Sequence, residues 1–461
     1  MASIGIIGGG FSGGMLALQL LAQGTPANEI FVVDDGKTIG LGQAYSATAP
    51  WHLLNVRAAG MSPFPGQPEA FVNFLADQPD LPPEPGLPLG ERFVPRLFYG
   101  RFLTKLIETA EIPSRSGPRF SHIRGRAVAL RRNAAATKWN EILLADGGLL
   151  RVDRVVLALG NLPPGQPRGI AGCVAEMGRY IGDPWNASML STVPQDASVL
   201  LLGTGLTMVD SILSLAARAH RGPITAVSRH GLQPGPHSFA SAETWPPFAN
   251  PVAAKPVREL LLIVRNQVEA AAAAGVSWQA VINSLRASSQ DLWRSLPETE
   301  QARFIRHVRP WWDVHRHRVA LSNWREIQNL RASGQLSVKA GRIENYVRAG
   351  DSFEAEFRPR SQSGVFRLSF DWLINCSGPN YDFATSDQPL LQQMLEVGLI
   401  RPNKHRLGVD VDETFAVVDR AGKIADDLYA MGPMLRGQYW EINGVPEIAR
   451  QARELAERLT R

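Results

Sequence analysis

A glycine-rich turn near the amino terminus has the spacing of a phosphate-binding loop. It follows a short apolar run and precedes an apolar stretch with helical spacing, and a second apolar run then ends at Asp34. The pattern GxGxxG suits a tight turn whose backbone N–H groups approach a pyrophosphate at a helix N-terminus. Asp34 has the position of the carboxylate that binds ribose hydroxyls. The predicted dinucleotide-binding residues are Gly8, Gly10, Phe11, Ser12, Gly13 and Asp34.

The same plan recurs in the middle of the chain. An apolar run at residues 199–202 leads into GTGLTMVD, and another at residues 224–227 ends in Ser-Arg-His. Met208 replaces the third glycine, and Arg229 stands where the first unit has Asp34. An arginine there can pair with a 2′-phosphate, which favours NADPH over NADH; a solvated surface arginine is the alternative. The predicted residues of this second site are Gly203, Gly205, Leu206, Thr207, Ser228 and Arg229.

A cationic segment, residues 306–318, reads RHVRPWWDVHRHR and contains one carboxylate, Asp313. Arginines beside tryptophans can bind a planar or carboxylated anion by bidentate hydrogen bonds and stacking. Contacts to the phosphates of NADPH, or salt bridges between two lobes, are the alternatives. The candidate substrate ligands are Arg309, Trp312, Arg316 and Arg318.

Two histidines are candidate acid–base catalysts, because histidine titrates near neutrality. His237 follows a Pro- and Gly-rich turn, and His315 lies in the cationic segment. For each of them, a structural histidine hydrogen-bonded to the backbone is the alternative. No metal site is predicted, because His315 and His317 fall on different faces of a helix and no HExxH motif occurs.

Two strand–turn–helix–strand units must position these residues, and each is followed by a β-rich stretch. The stretches at residues 125–160 and 341–378 have the same strand order, as expected if one ancestral unit is used twice. In both, a last apolar strand runs to a glycine, as in VDRVVLALG and FRLSFDWLINCSG. Helical patterns fill an insertion at about residues 235–335. The predicted fold is α/β, with two Rossmann-like dinucleotide-binding domains, β-meander extensions and a helical insertion.

Composition excludes several classes of protein. With 461 residues, 44% hydrophobic and 20% charged, the chain has the make-up of a globular enzyme of two or three domains. A net charge of +5 suits small anionic ligands, and without a nucleic-acid-binding motif it predicts no nucleic-acid partner. Cys173 and Cys376 form no CxxC motif, which argues against dithiol chemistry and fits a reducing cytoplasm.

The amino-terminal apolar stretch does not have the basic region of a signal peptide. No apolar run reaches the length of a membrane span. We therefore expect a cytoplasmic protein with no membrane partner, and the sequence leaves open whether it forms a homo-oligomer.

Short motifs along the whole chain resemble those of a family of FAD/NAD(P)-binding flavoprotein monooxygenases. The family includes proteins related to aspartate N-monooxygenases and, more distantly, to N-hydroxylating monooxygenases. The resemblance implies FAD in the first glycine turn, NADPH or NADH in the second, and an oxygenation that consumes molecular oxygen. The matching motifs are GIIGGGFSG, GQAYS, HLLNV, MSPFP, PRLFYGRFL, VVLALGN, GTGLTMVD, SRHGL, RPWWDVHRHR, INCSGP, and MGP with WE.

Further flavin contacts and the bounds of the domains are also predicted. Asn55 and Met61 lie in loops at a distance suited to the flavin ring, with ordinary loop packing as the alternative. Gly432 and Pro433 follow an apolar strand and are expected at the ribityl chain. The predicted domains are an FAD-binding domain in two parts, residues 1–190 and 376–461, and an NAD(P)H-binding domain, residues 191–375.

The sequence therefore predicts an FAD-dependent, NAD(P)H-driven monooxygenase that hydroxylates a small anionic metabolite. Urate is the first choice of substrate, because the resemblance extends to a flavin-dependent urate hydroxylase. One alternative is N-hydroxylation of an amino acid such as aspartate. Another is an NAD(P)H oxidase or reductase that hydroxylates nothing. These three hypotheses stay open at the level of sequence.

Overall fold

The apolar runs of the sequence form buried strands in two main sheets. The computed structural model describes residues 2–23, 27–110, 119–132, 139–170, 174–238, 243–248 and 255–460. Cys173 and residues 239–242 and 249–254 of the predicted insertion lie outside the described residues. The strands are β1 (Ala2–Ile7), β2 (Ala27–Asp34), β3 (Arg119–Arg124), β4 (Ala127–Arg132), β5 (Asn140–Leu144), β6 (Leu149–Val152), β7 (Arg154–Leu157), β8 (Tyr180–Ile181), β9 (Val199–Leu202), β10 (Ile224–Ser228), β11 (Leu336–Ala349), β12 (Ser352–Pro359), β13 (Phe366–Phe370), β14 (Trp372–Asn375), β15 (Ala416–Val418) and β16 (Ile424–Ala430).

Helices connect these strands and fill the insertion. A π-helical stretch, Phe304–Val308, runs directly into the helix that carries most of the cationic segment. Within the described residues, no helix combines the length and the apolar character needed to cross a membrane. The α-helices are α1 (Phe11–Ala22), α2 (Gly42–Tyr45), α3 (Ala70–Ala76), α4 (Arg96–Ala110), α5 (Ala187–Leu190), α6 (Leu206–Ala216), α7 (Val257–Ala273), α8 (Trp278–Ser284), α9 (Ser289–Ser295), α10 (Glu298–Arg303), α11 (Arg309–Arg316), α12 (Leu321–Ala332), α13 (Pro389–Glu396) and α14 (Val445–Leu459).

The first unit consists of Met1–Pro50, Val56–Leu162 and Asn380–Arg461. Its main sheet has the order β15-β16-β7-β1-β2-β3, and β1 pairs in parallel with both β2 and β7. The central strands are rich in buried Ile and Val, as expected for a parallel sheet covered by helices. Helix α1 packs against α14, and β4, β5 and β6 form a separate antiparallel sheet.

The second unit consists of Trp51–Asn55 and Pro163–Pro379. Its sheet has the order β13-β12-β11-β10-β9-β14-β8. Strand β11 begins parallel to β10 and continues antiparallel to β12, so one strand joins the nucleotide-binding part to the predicted meander. The predicted α/β class, with parallel sheets and antiparallel extensions, is confirmed.

The boundaries of these units differ from those placed by sequence at residues 190 and 376. Residues 163–190 join the second unit, where β8 pairs with β14 through Tyr180 and Ile181. The segment Trp51–Asn55 joins it as well. Which cofactor each unit binds stays a prediction at this point.

An aspartate interrupts the last strand of each repeat, so the prediction of one continuous strand in each is wrong. The Asp153 carboxylate accepts hydrogen bonds from the Ser3 N–H at 2.6 Å and the Ser3 hydroxyl at 2.9 Å. The Asp371 carboxylate accepts the same pair from Ser198, at 2.8 and 2.7 Å. In each half the carboxylate holds the chain where it leaves an antiparallel strand for the parallel part of a sheet. The repeated contact supports the predicted duplication.

Candidate functional site

The first glycine turn closes tightly at the N-terminus of α1. A Cβ atom added to Gly13 would lie 2.0 Å from the carbonyl oxygen of Gly8, so only glycine allows the helix to approach the turn this closely. Gly10 is the N-cap residue, and no side chain caps the helix. Phe11 packs its ring edge-on against Tyr45, with the ring centroids 5.7 Å apart. The first-turn N–H groups of an uncapped helix are suited to an anion such as a pyrophosphate.

Asp34 binds the glycine turn itself. One carboxylate oxygen accepts the Gly9 N–H at 2.6 Å, and the other accepts the Gly36 N–H at 2.8 Å. A Cβ atom at Gly9 would lie 2.8 Å from the Asp34 Cβ, so the middle residue of the turn must also be small. Sequence reasoning missed this role of Gly9. Each Asp34 oxygen keeps a second lone pair, so the ribose contact stays a prediction.

The carboxyl-terminal part of the first unit returns to this turn. A Cβ atom at Gly432 would lie 2.4 Å from the Ser12 hydroxyl oxygen. The Gly432 N–H donates at 2.7 Å to the Oε1 of Gln451, a buried residue of α14 that sequence reasoning missed. The Gln451 Nε2 is buried and has no partner within the described residues. The glycine turn, the carboxylate and this buried donor together fit a dinucleotide such as FAD.

Pro433 lines a small pocket within the first unit. The pocket is mostly apolar, and Leu159 and Gly160, which follow β7, contribute to its lining. Met61 is buried elsewhere in this unit, whereas Asn55 belongs to the second unit, so the structure does not bring these two predicted flavin contacts into one unit. The lining residues are Leu159, Gly160, Leu162, Asn380, Tyr381, Phe383, Leu391, Gly408, Pro433 and Met434.

The second glycine turn has a closed side and an open side. Gly203 has a φ of +111°, and a Cβ atom there would lie 2.2 Å from the carbonyl oxygen of Cys376. Gly205 is the N-cap residue of α6, has no side-chain cap, and would place a Cβ atom in open space. Leu206 and Thr207 begin this helix. A ligand can therefore approach the open side at Gly205.

Ser228 and Arg229 serve different purposes at the end of β10. The Ser228 hydroxyl lies 2.8 Å from the Thr204 hydroxyl and accepts the Gly231 N–H at 3.0 Å. Ser228 therefore joins the second glycine turn to the turn that follows β10. A contact of Ser228 with a ligand would come in addition to these two hydrogen bonds. Arg229 is exposed, and none of the described residues pairs with its guanidinium. Arg229 is free to bind an anion.

Most of the cationic segment packs within the helical insertion. Arg318 is 3% exposed, donates to the side-chain oxygen of Asn283, and stacks 5.9 Å from the Trp278 ring centroid. The His315 ring meets Trp278 edge-on at 5.1 Å, and its Nδ1 lies 2.7 Å from the Trp311 carbonyl oxygen. These contacts hold the end of the cationic segment against α8, and the His315 contact with a backbone carbonyl matches the structural alternative for that histidine.

Arg309 and Arg316, the other two arginines predicted as substrate ligands, are less enclosed. Arg309 lies 3.4 Å from the Asp313 carboxylate, one helical turn further on. Arg316 is partly exposed at the end of α11. Trp312 meets Phe304 edge-on, with ring centroids 6.5 Å apart. Their role as substrate ligands stays a prediction.

His237 and Asn55 lie together in the second unit. The Nε2 of His237 is 2.9 Å from the Asn55 carbonyl oxygen, and because a carbonyl only accepts, Nε2 carries the proton. Gln279 holds this segment on both sides of His237: its Oε1 accepts the Ser238 N–H at 2.8 Å, and its Nε2 donates to the Pro236 carbonyl at 3.0 Å. No local sequence signal could have revealed Gln279, because these contacts span about forty residues.

The first glycine turn lies in a stretch that is similar to a known protein family. A family model described as FAD-NAD(P)-binding matches residues 5–162, which include the first glycine turn and Asp34. Three uncharacterized mycobacterial proteins, one from Mycobacterium bovis and two from strains of Mycobacterium tuberculosis, are each 21% identical over 407 residues. The match covers 80% of this chain and 73% of each of theirs.

Solved structures share the fold over nearly the whole chain. The ornithine hydroxylase of Pseudomonas aeruginosa has a TM-score of 0.66 at 13% identity, over 100% of this chain and 98% of that one. The L-lysine 6-monooxygenase of Pseudomonas syringae has a TM-score of 0.66 at 14% identity, over 100% and 99%. The Kutzneria sp. 744 ornithine N-hydroxylase, solved with reduced FAD, NADP+ and L-ornithine, has a TM-score of 0.64 at 12% identity, over 99% and 98%.

These likenesses establish the two-domain fold of FAD- and NADPH-binding flavoproteins. The predicted pairing of FAD with a nicotinamide dinucleotide agrees with the family match and with the fold. The same fold is found in an ornithine hydroxylase and in an L-lysine 6-monooxygenase.

Proposed function

We propose that this chain is a flavin-dependent monooxygenase that uses NADPH and molecular oxygen to hydroxylate the amino group of a small metabolite. The observation that carries the proposal is the pair of glycine turns, each opening an uncapped helix, within a fold shared along its whole length with ornithine and lysine hydroxylases. In the proposed enzyme the first turn binds FAD and the second binds NADPH.

We propose amine hydroxylation rather than hydroxylation of urate. The solved structures of the same fold are named for ornithine and lysine, whose side chains end in primary amines, and these names support the N-hydroxylation hypothesis. Aspartate stays within that hypothesis because it also presents an amino group. Urate has no primary amine, and its support is the sequence resemblance alone.

The chain's own residues have defined tasks in the proposed reaction. When bound, FAD supplies the redox chemistry by accepting hydride from NADPH and by activating oxygen once reduced. Asp34 keeps the first turn in shape through Gly9 and Gly36. His237, whose Nε2 proton is held by the Asn55 carbonyl, is the proposed group for proton movement near the substrate.

The cationic segment supplies the proposed contact to a substrate carboxylate. Arg318 is buried against Trp278, so the proposal assigns that contact to Arg309 and Arg316. A guanidinium binds a carboxylate through two parallel hydrogen bonds, which orients the substrate as well as holding it. An amino acid meets both requirements, since it offers a carboxylate to bind and an amine to oxidise.

The test uses FAD-loaded protein with NADPH and oxygen and a panel of ornithine, lysine, aspartate and urate. We expect one amine to yield its hydroxylamine, seen by mass spectrometry as a gain of one oxygen atom, in step with NADPH consumption. If hydrogen peroxide is the only product with every amine, the protein is an NAD(P)H oxidase and the proposal is wrong. Loss of urate absorbance without any hydroxylamine would restore the urate hypothesis.

A pair of variants tests the carboxylate contact. Arg316→Gln should raise the KM for the accepted amino acid by about 10-fold or more, because a charge-assisted hydrogen bond is lost. Arg294→Gln is the matched control, because Arg294 is an exposed arginine of the same insertion that pairs with Asp291 at 2.6 Å. Equal KM values for the two variants would remove Arg316 from the substrate site.

A further inference from the structure

We infer that Arg360 is a second arginine of the 2′-phosphate site, and that it binds a phosphate monoester together with Arg229. The identification of that monoester as the 2′-phosphate of NADPH rests on the proposed function. Arg360 follows β12, far from the second glycine turn in sequence, and no motif draws attention to it.

The strand register brings Arg360 to the edge where β10 ends. Ser228, the last residue of β10, pairs with Ala340 of β11. The Arg360 N–H donates to the Ala340 carbonyl at 3.0 Å. Ser228, Ala340 and Arg360 thus form a row across three neighbouring chain segments, at the carboxyl end of the parallel strands. Ligands of open α/β sheets bind outside that end of the strands.

A side-chain contact then directs the Arg360 guanidinium toward the turn after β10. Its Nη1 meets the Nδ1 of His230, the residue next to Arg229. A guanidinium only donates, so Nδ1 accepts and the imidazole is neutral in this contact. His230 therefore acts as a positioning residue that holds Arg360 beside the segment that presents Arg229.

The two arginines have no carboxylate partner among the described residues, unlike their neighbours on the same sheet. Arg358 forms a two-point pair with Glu344 at 2.6 and 3.0 Å, and Arg367 pairs with Glu354 at 3.0 Å. Two like charges at one edge repel each other, and an anion between them removes that repulsion. The planar guanidinium matches the oxygens of a phosphate, so a phosphate monoester is the ligand class that fits.

The experiment measures binding to the FAD-loaded protein by titration calorimetry, with 2′,5′-ADP, 5′-AMP and inorganic phosphate as probes. Arg360→Gln should weaken 2′,5′-ADP binding by about 10- to 100-fold and leave 5′-AMP binding unchanged, because only 2′,5′-ADP carries the 2′-phosphate. Arg358→Gln, two residues away and paired with Glu344, is the matched control and should behave as wild type. Equal effects of the two variants on 2′,5′-ADP would overturn the inference.

Two further results separate this inference from the proposed function. If inorganic phosphate binds the wild type as tightly as 2′,5′-ADP does, Arg229 and Arg360 form a general anion site. The assignment of this site to the 2′-phosphate of NADPH is then wrong. If no amine is hydroxylated but Arg360→Gln still loses 2′,5′-ADP selectively, the proposed function fails and the phosphate site stands.

His230 is tested by turnover as well as by binding. His230→Phe should raise the KM for NADPH and leave kcat at saturation unchanged, because it removes the acceptor that holds Arg360. His230→Asn keeps a side-chain acceptor and should restore the KM in part. A fall in kcat with an unchanged KM in His230→Phe would contradict the positioning role.

Discussion

Cys376 shows how burial decides the chemistry of a single residue. It follows β14 at the second glycine turn, and its Sγ lies 3.4 Å from the Ser211 hydroxyl. Burial raises the pKa of the thiol to about 12, and the hydrogen bond to Ser211 lowers it by a smaller amount. A thiolate is the reactive form of cysteine, so Cys376 is a structural residue and carries no redox step.

The raised pKa predicts slow alkylation of the native protein. In a Cys173→Ala background, iodoacetamide at pH 8 should label Cys376 about 1,000-fold more slowly than an ordinary thiol, because three pKa units separate the two. Unfolding in guanidinium should restore ordinary labelling. Peptide mass spectrometry measures both rates, and rapid labelling of the native protein would contradict the burial of this thiol.

The same pKa has a consequence for stability with a definite sign. Above pH 9 the thiol of the unfolded chain loses its proton, while the buried thiol keeps its proton to about pH 12. The unfolded state then binds fewer protons than the native state, so the free energy of unfolding falls as the pH rises through this window.

At the residue scale, sequence identifies groups by type and spacing but not by partner. The GxGxxG pattern and Asp34 could be found because their spacing is local. The contact of Asp34 with Gly9 was missed although both residues belong to the same local pattern. The contact of Gln451 with Gly432 depends on how α14 packs, which the sequence does not show. Arg360 and His230 are 130 residues apart, and only the strand register joins them.

At the scale of elements, the second strand–turn–helix unit separates glycines needed for folding from glycines needed for a ligand. Gly203 combines a positive φ with a close approach to Cys376, so Gly203→Ala should destabilise the second unit by more than about 2 kcal/mol. Gly205→Ala should fold normally because its Cβ atom meets open space, but it should weaken NADP+ binding where the pyrophosphate approaches.

Thermal unfolding and NADP+ titration of the two variants check this difference. Gly235 is a suitable control position, because a Cβ atom there also meets open space and it lies outside both glycine turns. A Gly205→Ala variant that melts as early as Gly203→Ala would contradict the open geometry of the N-cap. A Gly205→Ala variant with unchanged NADP+ affinity would place the ligand elsewhere.

The order of the elements was predictable, whereas some of their ends were not. The duplication was visible because both β-rich stretches keep the same order of strands. The breaks at Asp153 and Asp371 were missed because apolar residues lie within two positions on both sides of each aspartate. Their cause is a contact with Ser3 and Ser198, each far away in sequence.

At the scale of the whole molecule, two separate units predict two separate patterns of ligand protection. FAD should slow amide hydrogen exchange around residues 8–13 and 430–433, and NADP+ should slow it around residues 203–209 and 228–232. A ligand at 100 times its Kd stabilises the unit that binds it by about 2.7 kcal/mol, which is enough to detect. Exchange measured by mass spectrometry reports both patterns, and protection of residues 8–13 by NADP+ would contradict the assignment.

The division of the chain could be predicted in outline only. The sequence predicts that the second domain begins at residue 191, just before the apolar run at residues 199–202. In the structure the long segment of the second unit begins at Pro163, because the two-residue strand β8 pairs with β14. A strand this short has no periodicity to detect. The transfer of Trp51–Asn55 to the second unit depends on packing, since Trp51 and His52 both contact the Ser214 hydroxyl of α6.

The division into units also fixes an order of events during synthesis on the ribosome. All segments of the second unit precede Asn380, whereas the first unit needs β16 beside β7 and α14 against α1. At about 5–20 residues per second, making residues 163–379 takes on the order of ten seconds or more. Throughout this time the first unit of a nascent chain lacks β16 and α14, which pack beside the first glycine turn. The unit whose synthesis begins first is therefore completed last.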